Sequence, residues 1–153
     1  MAITYTIIQE RKKQLPKFVE EGKNLLIELA TSAEYETPER VYFQNKHITA
    51  FLEELDAILA EEWLDDTARQ WLSPRLGYAI GQYFCLEYKG EWGVNEQPDS
   101  PQYGHYVVFV PSSKQATTVY PVDPFEAAYE YVHQEPDRDL LSLLEEIEGL
   151  LLL

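Results

Sequence analysis

Tyr106-Val107-Val108-Phe109-Val110 is the stretch that decides the fold, with Trp92-Gly93-Val94 before it and Ala116-Thr117-Thr118-Val119-Tyr120 after it. These segments are rich in β-branched and aromatic residues, which fit a pleated, half-buried surface. Pro111-Ser112-Ser113-Lys114-Gln115 between the second and third has the chemistry of a turn. A three-stranded antiparallel meander is therefore predicted. Its central strand is the uninterrupted apolar run 106–110, covered on both faces or nearly so. The polar stretch Asn95 to Gly104, with Pro98 and Pro101, joins the first two strands by ten residues. A hairpin needs only about two to five, so this stretch is the candidate functional loop.

Helical signals flank the strands on both sides. After them, Asp123-Pro124-Phe125-Glu126 presents a capping aspartate, a first-position proline and an acidic third position. Phe125, Ala128, Tyr129 and Val132 would form that helix's buried face. Pro136-Asp137 opens a last helix with the stripe Leu140, Leu144, Ile147 and Leu151. Before the strands, a short helix over 4–14 precedes one over 16–31, where Pro16 suits a first turn and Phe18, Gly22, Leu25, Leu26 and Leu29 keep one side apolar or small. Thr37-Pro38 signals a helix over 39–62 carrying Ile48, Phe51, Leu52, Leu55 and Leu59. Asp65 begins a short turn ending near Leu72, and Ser73-Pro74 opens a third long helix to Tyr88, with Leu76, Ile80, Tyr83 and Phe84 on its apolar face. Strands gathered in one block between helices predict an α+β fold in a single domain, 1–153.

The chain's 153 residues suit one domain able to bury a core without a disulfide or metal staple. Twelve Lys and Arg against 27 Asp and Glu give a net charge of −15. That balance excludes nucleic acid, whose binding rests on cationic contacts to phosphates, and an anionic membrane surface. Residues 1–76 carry 9 basic and 14 acidic groups, and 77–153 carry 3 and 13. The basic cluster Arg11, Lys12, Lys13, Lys17 and Lys23 of one copy could meet the acidic C-terminal half of another, predicting a homo-oligomer. A lone Cys85 and a start without a basic segment and apolar stretch point to the cytoplasm. The run Leu150 to Leu153 is too short for a membrane span. It reads as a helix end tucked into the core or as a sticky edge used for self-association.

No nucleophile elbow, dinucleotide fingerprint, phosphate loop, C-x-x-C or H-E-x-x-H occurs, so no catalytic residue and no cofactor is expected. Gly77, Gly81 and Cys85 form a ridge of small side chains for close packing, at about 1 kcal/mol of helix propensity per glycine. Trp92, Tyr103, His105, Tyr106 and Tyr120 concentrate amphipathic rings around the sheet and are the candidate binding anchors. Two acidic clusters stand out. Glu61, Glu62, Asp65 and Asp66 occupy a helix junction, and Glu145, Glu146 and Glu148 lie where the last helix's dipole disfavours them. Solubility explains such charge in general, and recognition of a basic partner explains it in particular. An alternative chemistry is a composite metal site of His105 and His133 with Glu130 or Asp137, an imidazole and carboxylate set suited to zinc in a small hydrolase or ligand-binding cleft.

Leu76-Gly77-Tyr78-Ala79-Ile80-Gly81-Gln82-Tyr83 followed by Tyr88-Lys89-Gly90-Glu91-Trp92 resembles a pattern found in small bacterial domains of unknown function. In these an L-G-x-x-x-G helix leads into a G-x-W strand, and a short sheet and a helix introduced by a Pro-Phe pair follow. Pro124-Phe125 takes the comparable place, so the resemblance covers roughly 76–132. It implies an α+β fold and a bacterial, cytoplasmic origin, and it carries over no catalytic residue. Together these features predict a non-enzymatic module that binds a protein, as acidic inhibitor or immunity proteins bind basic partners.

Overall fold

Helices precede and follow a single block of strands in the computed structural model, which describes residues 4–112 and 118–151. The order is α1 (Tyr5–Ser32), α2 (Arg40–Phe43), α3 (Asn45–Leu59), α4 (Asp66–Tyr88), β1 (Glu91–Val94), β2 (Tyr106–Pro111), β3 (Val119–Val122), α5 (Pro124–His133) and α6 (Leu140–Leu151). The sheet is antiparallel in the order β1-β2-β3, with Trp92 opposite Val108 and Val108 opposite Val122. The expected α+β fold and meander are thus present, with β2 in the centre. Because side chains alternate along a strand, Trp92, Val108, Val110, Tyr120 and Val122 share the face that meets the helical core. The predicted 113–115 turn and the start of the third strand at Ala116 and Thr117 lie outside the described residues.

Helix α4 is the axis of the molecule. Leu76 to Phe84 are buried without interruption, so this helix is enclosed all round and not amphipathic. Its glycines are seats for rings. A Cβ on Gly77 would lie 2.3 Å from Phe125, and one on Gly81 would lie 2.2 Å from Trp92. Gly22 of α1 receives Tyr78 in the same way, at 2.2 Å. The rings so seated form a cluster with Phe18 and Tyr106, which stack on each other with centroids 3.9 Å apart. The small-residue ridge thus serves packing.

Several boundaries differ from those predicted, for identifiable reasons. Pro16 and Pro74 both lie inside helices, so 4–14 and 16–31 are one helix, and the short turn from Asp65 is the first part of α4. Each proline removes an amide donor. A side chain donates to a backbone carbonyl in each disturbed turn: the Tyr106 hydroxyl to Arg11 (3.0 Å) and the Arg75 guanidinium to Trp71 (2.7 Å). Asp65 caps α4 by accepting from the Ala68 amide at 2.8 Å. The predicted helix 39–62 is broken at Gln44, whose backbone is extended. Helix α5 buries Ala128 and Val132 as expected and packs Phe125 onto Gly77, but Ala127 and Tyr131 are buried in place of Tyr129, which is 60% exposed. Helix α6 starts at Leu140, not at Pro136, and buries Leu143 alongside Leu140, Leu144 and Leu151. Of the C-terminal leucine run, Leu151 is buried, Leu150 is 44% exposed, and Leu152 and Leu153 lie outside the described residues.

Two polar side chains tie the helices together. Asp56 of α3 accepts from the Tyr131 hydroxyl (2.9 Å) and the Leu140 amide (3.0 Å), joining α3, α5 and α6. The Arg138 side chain, 4% exposed, donates to the carbonyls of Leu59 (2.8 Å), Glu62 (2.7 Å) and Gln134 (3.0 Å). A guanidinium on the last carbonyls of α3 satisfies acceptors that the helix leaves open and complements its dipole.

Candidate functional site

Where the last turns of α1 and α3 meet the first turns of α4, the core is left open to solvent as a groove. Its volume is about 490 Å³, and Leu29, Ala33, Ile58, Leu59, Leu64 and Trp71 are among its walls. Ile58 is 49% exposed, Trp71 39%, and Trp63, the chain neighbour of Leu64, 79%. Trp71 thus lines the groove, and Trp63 stands exposed next in sequence to its wall residue Leu64. Asp65 is the acid that lines the groove, and Glu61 and Glu62, exposed in the segment that leads from α3 to α4, adjoin its Leu59 and Leu64 walls in sequence. The nearby cations are engaged: Arg75 pairs with Glu28 at 2.6 Å and lies 4.3 Å over the Trp71 ring, and Arg69 pairs with Asp66 at 3.1 Å. Arg138 fixes the 59–62 wall from behind, through the carbonyls of Leu59 and Glu62.

The anchors expected around the sheet are dispersed. Trp92 and Tyr106 belong to the ring cluster over α4. Tyr103 is half-buried in the 95–104 loop, which is braced from within: Asn95, 1% exposed, accepts from the Gln97 amide (3.0 Å) and donates to the Ser100 hydroxyl (3.2 Å). Gly104 closes the loop at φ 83°, a left-handed conformation that favours glycine. Tyr120 and Glu146 line one cleft of about 350 Å³, while His105 and Tyr106 line a neighbouring one of about 350 Å³ with Arg11, Phe18 and Phe125. Asp123 belongs to both clefts.

The C-terminal acidic cluster is divided as well. Glu145 and Glu146 are exposed, whereas Glu148 accepts a hydrogen bond from the Tyr88 hydroxyl. Burial, together with the Glu148 carboxylate, holds the phenols of Tyr83 and Tyr88 well above their ordinary range. Cys85 is half-buried, and burial followed by the Glu91 charge pushes its thiol up to about 12, so it is no nucleophile at neutral pH.

The histidines separate in the same manner. His133 stacks on Tyr129 (4.0 Å), with Nδ1 2.9 Å from the Tyr129 carbonyl, and the Asp137 amide donates to the Ala60 carbonyl. Glu130 lines the cleft beside Tyr120. Of the four residues proposed from sequence as metal ligands, His105 alone joins a cluster of donor atoms, and its neighbours there are Asp123 and Glu126. His105 Nδ1 lies 2.6 Å from Asp123 Oδ2, and Asp123 Oδ1 accepts from the amides of Phe125 and Glu126, both at 3.1 Å.

Sequence reasoning singled out the acids at 61–66 but missed Trp63, Trp71 and Ile58. A usable signal was present, since Trp63 interrupts an acidic run and Ile58 falls beside the Leu55 and Leu59 stripe. No protein-family model matches the chain, and no curated protein or solved structure matches it. Among the described residues, no helix is long and apolar enough to cross a membrane.

Proposed function

We propose that the chain is a non-enzymatic protein-binding module, of the inhibitor or immunity kind in physical character, and that its groove receives a basic amphipathic helix from a partner. The observation that carries this reading is the coincidence of an apolar groove and two exposed tryptophans with the exposed acids Glu61, Glu62 and Asp65 of the segment joining α3 to α4. An amphipathic helix in a groove places its apolar face among residues such as Ile58, Leu64 and Trp71. Its flanking lysines and arginines then meet Glu61, Glu62 and Asp65, which accelerates association and selects against acidic partners. Exposed tryptophan on a concave surface is the residue type that dominates interface energetics.

The test uses two synthetic helical peptides with the same leucine stripe, one with lysine and one with glutamate on the polar face. Anisotropy and tryptophan emission should show the lysine peptide binding and the glutamate peptide failing to bind. Affinity should fall with added salt, and W71A with W63A should weaken it by about tenfold or more. Equal binding of both peptides, or binding indifferent to the double substitution, overturns the reading. Self-association that buries the groove, seen by sedimentation at several concentrations, overturns it in favour of a homo-oligomer.

A further inference from the structure

The geometry points to a divalent transition-metal site, of zinc type, formed by His105, Asp123 and Glu126 between the sheet and the start of α5. Among the described residues this is the one group of three or more His, Cys, Asp or Glu whose donor atoms all lie within 4.8 Å of one another. The three donors come from two parts of the chain: His105 from the residue before β2, Asp123 and Glu126 from the residue before α5 and its first turn. Imidazole with carboxylates is a donor set suited to Zn²⁺. The site is independent of the groove.

Asp123 is the fixed point. Its side chain is 4% exposed, and Oδ1 is held by two backbone amides, so capping the helix occupies one oxygen and leaves Oδ2 directed at His105. Glu126 is steered by Gln102, whose Nε2 donates to its Oε2 at 3.3 Å. Gln102 is neutral, and the hydrogen-bond partners of the two carboxylates are amides and an imidazole; Arg11, which lines the same cleft, donates instead to the Gly104 carbonyl. The partial positive end of α5 opposes a cation, equivalent to roughly half a charge, and two carboxylates outweigh it. Donors on one zinc lie about 2.0–2.2 Å from the ion. His105 and Asp123 must therefore open beyond their present 2.6 Å while Glu126 closes in, both within the reach of partly exposed side chains. An ion bound at Nδ1 would require the neutral ring with its proton on Nε2.

Titration of the purified chain with Zn²⁺ alone, by calorimetry and by competition with a chromophoric chelator, tests the site. One saturable site per chain is expected, with affinity lowered about tenfold or more in H105A, in E126Q and in D123N. The last keeps a side-chain oxygen for the two amides, so capping survives while the charged ligand is lost. Zn²⁺ should also raise the melting temperature of the unsubstituted chain and not that of E126Q. The control E20Q with E21Q, two exposed acids of α1 away from both clefts, should bind as the parent does. Absence of saturable binding overturns the proposal, as does affinity unchanged in both H105A and E126Q. Equal competition by Mg²⁺ or Ca²⁺ overturns it too, since it would indicate a diffuse acidic surface.

Discussion

Trp92 packs onto α4 and Trp71 projects from it, yet the two large rings face opposite situations. Trp92 lies over Gly81, where the missing side chain admits the ring to the helix backbone, and Phe18, Tyr78 and Phe125 close around it. Trp71 projects from the first half of α4 at 39% exposure, with the Arg75 guanidinium over its face and an open groove beside it. The difference teaches that a glycine across the interface converts an aromatic ring into core. Without such a seat the same ring remains available to another molecule.

The comparison can be broken most forcefully at the seat itself. Gly81→Val should place branched carbons where the Trp92 ring now lies, destabilising the fold by about 2–3 kcal/mol in urea denaturation. Valine at position 81 with unchanged stability would show that the ring can move aside at no cost. Next in size is Arg138→Met, which keeps much of the side chain's length but removes the guanidinium from the carbonyls of Leu59, Glu62 and Gln134, of which Leu59 keeps the Glu62 amide. A loss of about 2 kcal/mol is expected. Quenching of Trp63 and Trp71 by acrylamide should change with it while Trp92 stays protected, because the released wall belongs to the groove.

An alkaline titration sharpens the contrast from the core side. Burial pushes the Tyr78 phenol up to about 12, against an ordinary value of 10.0. The folded chain thus retains a proton that the unfolded chain releases. Stability should be indifferent to this group below about pH 10 and should fall as pH rises from there towards about 12. Denaturant midpoints across that window read the effect. A midpoint that rises would reverse the sign and refute the assignment. Smallest of all, Trp63→Ala should alter stability by less than about 0.5 kcal/mol, since the ring is 79% exposed. A larger loss would place Trp63 in the fold and not in recognition.

Much of this architecture is legible in the sequence because it rests on local periodicity. The Tyr106–Val110 run, the Asp123-Pro124 cap and the strand block identify the meander and its flanking helices directly. Helix continuity through Pro16 and Pro74 was not legible, because proline reads locally as a boundary, while the donor near Pro16 arrives from Tyr106 of the sheet and the one near Pro74 from the Arg75 side chain of the same helix. The candidate site was half legible. Acids at 61–66 are conspicuous as a run, but the groove arises from three helix ends that meet only in space. Ring placement around the sheet failed for the same reason, since nothing in the spacing of Trp92 and Tyr106 reveals that Gly81 and Phe18 wait opposite them.

Helix α4 carries a consequence beyond packing. Its first turns wall the groove, and its next nine residues, Leu76 to Phe84, are enclosed by every layer of the molecule. A molecule seated in the groove holds the same rod that the core surrounds, so occupancy and folding are thermodynamically linked. If the unfolded chain has no affinity for it, a partner at a hundred times its dissociation constant would deepen the native well by about 2.7 kcal/mol. Resistance to unfolding in a cell would then depend on the supply of that partner.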